Sequence, residues 1–159
     1  MKSKSVIFIL LVSFCLSVWI PYSCSSSENS SAASGIKWYK YDEGIEAGKN
    51  MNKKIFLNFY ADWCGYCKIM NKNTFGDNSV VSYLNENFIS IRVNSDKERK
   101  TAAAYKVTGL PVTWFIKANG EPIGNQPGYI PPETMLPILK YIQTESYDKM
   151  KFSEFQKKM

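Results

Sequence analysis

The 159-residue sequence contains no histidine and only four cysteines. A closed structural zinc site takes four nitrogen or sulfur ligands. Cys15 and Cys24 fall in or beside an N-terminal apolar run, so Cys64 and Cys67 are the two durable thiols. Two thiols and no imidazole cannot complete an intrachain tetrahedron, and no metal site is expected. A basic stripe is also missing. Lysines and acids are interspersed, as in NSDKERK and EFQKKM, which describes a solvated surface and gives no nucleic-acid partner. No apolar run reaches the roughly 20 residues that cross a bilayer as a helix, and no internal repeat is present.

The N-terminus carries a different signal. Lys2 and Lys4 precede the fifteen-residue stretch Val6 to Ile20, which is followed by SCSSSENSSAASG. That order reads as an export signal over residues 1–23. Its removal takes Lys2 and Lys4 with no acid, so the net charge falls from +6 to +4. Cys24 stands where a lipoprotein-type signal places its lipidated cysteine, but Pro21, Tyr22 and Ser23 differ from the usual Leu-Ala-Gly type. A lipid anchor through Cys24 and ordinary cleavage nearby both stay open. Residues 24–35 hold Ser, Asn, Ala and Gly with nothing to bury and read as a flexible serine-rich linker. The globular domain is expected over residues 36–145. The tail, residues 146–159, either packs on its surface, frays or meets a partner.

Within the domain, IKWYKY reads as a short strand and DEGIEAGKNMNKK as a poorly periodic helix with an acidic start and a lysine-rich end. IFLNFYA places Ile55, Leu57 and Phe59 on one face and Phe56, Asn58 and Tyr60 on the other, as in a central strand covered on both sides. CGYCKIMNKN opens a helix, NSVVSYLNENF gives another, FISIRVN a second buried strand, and DKERKTAAAYKV a further helix. VTWFIK and EPIGNQ flank Asn119-Gly120, which predicts a hairpin with a two-residue turn in which both residues take positive φ. A last helix is expected to begin near Thr134, so that Pro137 falls in its first turn. This order predicts an α/β fold, a central mixed β-sheet with helices on both faces.

Two cysteines three apart at a helix start place the first where free backbone N–H groups and the helix dipole favour an anion. Cys64 is therefore expected to be the attacking thiolate and Cys67 the resolving thiol of a disulfide exchange. A static disulfide and a metal pair are the alternatives, but a domain of this size hardly requires a covalent staple. The second constellation is TGLPVTWF. A proline directly before a buried strand is awkward unless it serves a special turn, and a cis Leu110-Pro111 bond would bring this loop beside the cysteines. An ordinary trans proline is the alternative.

Taken together, FYADWCGYCK, TGLPVTWF, the Asn-Gly hairpin and Gly128 resemble the thioredoxin family across residues 36 to 144. Within it, YADWC, Thr74-Phe75 and GLP are similar to the periplasmic C-terminal thioredoxin-like domains of the bacterial DsbD interchange proteins. The resemblance implies a thioredoxin fold and a Cys64-Cys67 redox pair. It also implies a substrate surface of Trp63, Gly65, Tyr66, Leu110 and cis-Pro111. The implied activity is that of an exported thiol:disulfide oxidoreductase that reduces protein disulfides in the bacterial periplasm. Such a protein would be a monomer without a cofactor, recharged by a membrane electron donor or redox partner. A non-catalytic peptide- or partner-binding module with a structural disulfide is the rival reading. The sequence departs from the family at two positions, because Asn58 and Asn71 stand where these domains carry acids. Neither asparagine accepts a proton, which leaves water or Asp62 to assist Cys67.

Overall fold

The structure, a computed structural model, describes residues 35–159. The export signal, Cys15, Cys24 and the linker up to residue 34 lie outside the described residues.

The described elements are β1 (Trp38–Tyr39), α1 (Tyr41–Asn50), β2 (Lys54–Tyr60), α2 (Gly65–Asn73), α3 (Asn78–Asn87), β3 (Phe88–Asn94), α4 (Arg99–Ala104), β4 (Val112–Ile116), β5 (Pro122–Pro127), α5 (Pro132–Gln143), a 3-10 turn (Ser146–Asp148) and α6 (Phe152–Lys157). The five strands form one sheet in the order β1-β3-β2-β4-β5. β1, β3 and β2 run parallel, and β4 and β5 add to them antiparallel. This is the expected mixed α/β sheet.

The alternation in β2 determines the two layers. Ile55, Leu57 and Phe59 align with Ile89, Ile91 and Val93 of β3 and bury against Tyr41, Ile45 and Ala47 of α1 and Ala102 of α4. On the opposite face, Phe56 packs with Met70 of α2, Val80, Val81 and Leu84 of α3, and Met135, Leu139 and Ile142 of α5. Asp77 caps α3 by accepting from the Ser79 and Val80 backbone N–H groups at 2.9 and 3.0 Å, which supplies two of the unpaired donors of that helix start. The sheet-facing positions of α1, Tyr41, Gly44, Ile45 and Gly48, do keep helical spacing, but half of them are glycines, which hides the stripe from a reading of apolar residues. Gly44 and Gly48 are buried, and a Cβ there would meet the side chains of Ile91 and Ile55. Close approach to the sheet, rather than a broad apolar stripe, seats this helix.

Several expectations are corrected. The Asn119-Gly120 connection is not a two-residue turn with two positive φ angles, since Gly120 alone is positive, at +92°. The Lys117 N–H donates to Glu121 O and the Gly120 N–H to Lys117 O. This is a three-residue loop of the kind that closes with glycine in the left-handed region. Asn119 instead accepts from the Glu121 N–H at 3.0 Å. Helix α5 begins at Pro132 rather than near Thr134, because a proline at the first helical position gives up only an N–H that has no helical acceptor. Pro137 then lies inside the helix and leaves the carbonyl of the exposed Glu133 without its helical donor. α4 is shorter than the sequence suggests. The Asn94 side chain accepts from the Asp96 N–H at 3.1 Å and holds the start of that segment in a turn. The tail packs on α5: Tyr141 donates to Met150 O at 2.6 Å and meets the rings of Phe152 and Phe155 at 5.3 Å each.

Candidate functional site

β2 delivers the chain to the site. After Tyr60 the backbone turns, with the Cys64 N–H donating to Ala61 O at 3.2 Å, and Cys64 takes the capping position of α2 in extended conformation. Its sulfur accepts from the Cys67 N–H at 3.1 Å, so a backbone donor of the first helical turn already points at it. Cys64 and Cys67 are joined as a disulfide with their Cα atoms 5.2 Å apart. The far end of α2 is fixed by Thr74, whose buried hydroxyl donates to Ile130 O at 2.6 Å.

Cys64 holds the helix start expected of an attacking thiol, but an attacking thiol must also be reachable, and exposure does not distinguish it from Cys67. Both residues are 4% exposed. They share a small cluster with Ala61 against which Tyr60 and Leu110 pack, and the open surface belongs to their neighbours, Trp63 at 71% and Tyr66 at 65%. The Trp63 indole Nε1–H donates to Asp96 Oδ2 at 2.8 Å. Gly65 lies exposed between them, and nothing stands within 4 Å of where its Cβ would be.

The Leu110-Pro111 bond is cis, and Leu110 packs beside the cysteines as the sequence suggested. The Pro111 carbonyl is taken by the Gly128 N–H at 2.8 Å. The N–H and C=O of Leu110 make no hydrogen bond among the described residues. From this loop an open groove of about 950 Å³ runs over Tyr41, Tyr105 and Trp114. The Tyr105 ring meets Trp114 at 5.3 Å and Tyr41 at 6.0 Å. Burial first, and the Tyr41 hydroxyl second, hold the Tyr105 phenol far above its usual range, so this floor is uncharged.

Asn58 is buried beneath the site and donates to Thr113 Oγ1 at 3.2 Å. Asp62, by contrast, lies at the rim and pairs with Lys97 at 3.4 Å, both side chains well exposed. A cavity of about 230 Å³ joins Cys67 and Lys68 to Asp62, Asn71 and Arg92.

Arg92 went unnoticed in the sequence, although one charge in the middle of FISIRVN, an otherwise buried strand, was a signal. Its guanidinium lies 4.2 Å from the Tyr60 ring centroid, and its Nη1 donates to Asn71 Oδ1 at 2.9 Å. Burial lowers its pKa, but from a starting value so high that the group stays charged. The sequence also gave no hint of the Trp63–Asp96 bond, which spans 33 positions.

The thioredoxin-like domain family matches residues 41–143. A thiol:disulfide interchange protein DsbD of Vibrio vulnificus is 32% identical over 117 residues, covering 69% of this chain and 19% of that protein. The DsbD of Photorhabdus laumondii is 35% identical over 78 residues, 47% of this chain and 14% of that protein. The chain thus spans a fifth or less of the length of these relatives. Among solved structures, a thioredoxin from Thermus thermophilus superposes with a TM-score of 0.63 at 26% identity, covering 68% of this chain and 87% of that one. Since the family match runs from the start of α1 to the end of α5, the chain belongs to the family of thioredoxin-like domains.

Proposed function

We propose that the protein is an exported thiol:disulfide oxidoreductase that reduces protein disulfides through Cys64 and Cys67. The observation that carries this reading is the disulfide closed over the first turn of α2, beside a Leu110-Pro111 loop whose Leu110 N–H and C=O make no hydrogen bond among the described residues. In the reduced form, the Cys64 thiolate attacks a substrate disulfide, and one substrate sulfur leaves as a thiolate that takes a proton from water. A mixed disulfide to Cys64 results. The Cys67 thiolate then attacks the Cys64 sulfur, the Cys64–Cys67 bond forms, and the second substrate thiol departs. Two electrons pass to the substrate, and the oxidised pair described here is the product.

An extended substrate segment fits the Leu110 N–H and C=O, with Trp63, Tyr66 and Pro111 around it and Gly65 leaving room for its approach. Reduction in an oxidising compartment requires a donor, so a membrane electron donor or redox partner recharges the pair. Export to the bacterial periplasm rests on the pattern of residues 1–23, and a lipid anchor on Cys24. Cell fractionation, and lipid labelling of the Cys24→Ser variant against its parent, check both; a cytoplasmic, unlabelled parent removes them. The protein is read as a monomer.

The decisive assay is reduction of insulin disulfides. Cys64→Ser is expected to lower the rate to the uncatalysed background, and equal rates in variant and wild type end the enzymatic reading. One observation favours a second reading, a binding module with a structural disulfide: the 4% exposure of both cysteines. That reading predicts no insulin reduction in the wild type either.

A further inference from the structure

The sheet surface below α2 carries one charge where a proton acceptor is lacking. Asn58, Arg92 and Thr113 lie in a single register row across β3, β2 and β4, and Asn58 turns its amide to Thr113. Arg92 is held between the Tyr60 ring and Asn71 Oδ1. Its Nε–H is buried and has no acceptor among the described residues. Arg92, Asn71 and Cys67 line the same cavity.

We propose that the Arg92 guanidinium activates Cys67, stabilising its thiolate by charge in place of a carboxylate that would take its proton. The inference rests on the dithiol exchange described above and assigns its resolving step to a positioning residue. Thiolate formation sends the Cys67 proton to water in the cavity, and the anion that attacks Cys64 Sγ is held beside a fixed cation. One other group that faces Cys67 offsets this charge in part. Asp62, from the loop, lines the same cavity and attracts Arg92, but its carboxylate is well exposed and pairs with Lys97, so solvent and that lysine screen it. Lys68, on α2, is exposed and of the same sign as Arg92. Tyr60, on β2, presents its ring face to the guanidinium, and the Leu110 loop brings no ionisable group. Asn71 matters because it is an amide: it orients the guanidinium without neutralising it, which a carboxylate there would do. An opposite charge facing the same small cavity favours the charged form of a titrating thiol.

The experiment follows alkylation of Cys67 against pH in the full chain carrying Cys64→Ser. The rate is read by mass spectrometry on the peptide that contains Cys67, so that Cys15 and Cys24 do not enter. Arg92→Met is expected to raise the Cys67 pKa by about one unit, roughly tenfold less thiolate at neutral pH, and Arg92→Lys to restore part of the shift. Asn71→Asp keeps Arg92 in place, adds a neutralising charge and is expected to raise the pKa as well. Since that carboxylate also repels a Cys67 thiolate directly, the test is the pair: Asn71→Asp in the Arg92→Lys background is expected to raise the pKa further than either change alone, and Arg92→Gln replaces the methionine variant should it not fold. A Cys67 pKa unchanged in Arg92→Met and Arg92→Gln, or moved equally by methionine and lysine at position 92, overturns the proposal. The titration needs no turnover, so a wild type that fails to reduce insulin yet shows these shifts removes the enzymatic reading alone.

Discussion

The two faces of the central sheet are built to different rules. Beneath α1 and α4, every aligned pair of β2 and β3 is apolar: Ile55 with Ile89, Leu57 with Ile91, Phe59 with Val93. Beneath α2, α3 and α5, Phe56 of β2 aligns with Ser90 of β3 and Phe115 of β4, and the row nearer the cysteines is polar throughout, Asn58 aligning with Arg92 and Thr113. The first face is made of groups whose burial is favourable by itself. The second buries amides, a hydroxyl and a cation that must find partners or remain a cost, and Arg92 Nε, Ser90 Oγ and Asn94 Nδ2 have none among the described residues. Both faces hold an apolar core, but only the second gives part of its area to polar groups, and that part lies where the disulfide is.

The contrast can be broken most forcefully from the apolar side. Leu57→Ala leaves a void in a fully buried position and is expected to cost about 2–5 kcal/mol in urea unfolding. A loss below about 1 kcal/mol would mean that this face closes around the void and is not tightly packed. Smaller effects sharpen the contrast from the polar side. Asn58→Asp places a carboxylate next to Arg92 in the register row and within reach of Thr113. Its expected stability change is about 1–2 kcal/mol, and its main effect is on mechanism: a new ionisation enters the pH dependence of insulin reduction. An unchanged profile removes position 58 from the chemistry. Asp62→Asn, at the exposed rim, is expected to shift stability by less than about 0.5 kcal/mol and to leave that profile as it was. A profile altered by Asp62→Asn but not by Asn58→Asp would move proton handling from the buried row to the rim.

The sequence was readable where one face of one element carried the information. The alternation of Ile55, Leu57 and Phe59 against Phe56, Asn58 and Tyr60 identifies a strand covered on both sides. Two cysteines at a helix start and a proline before a strand mark the two halves of the site. It was less readable where tertiary approach replaces side-chain pattern, as at Gly44 and Gly48, whose smallness rather than hydrophobicity seats α1. It misled where a local rule had two solutions. Asn-Gly fits a two-residue turn, but the loop closes over three residues with Gly120 alone at positive φ. Likewise, Pro137 pointed to a late start for α5, while Pro132, the better starter, went unused. The bond from Trp63 to Asp96 and the stacking of Arg92 on Tyr60 join residues more than thirty positions apart, and no window along the chain contains both partners.

Thr74 anchors α2 at the end remote from the sulfurs through a buried bond that involves neither cysteine. Breaking or closing the Cys64–Cys67 bond removes no partner from that attachment, so the base of the helix does not depend on the state of its tip.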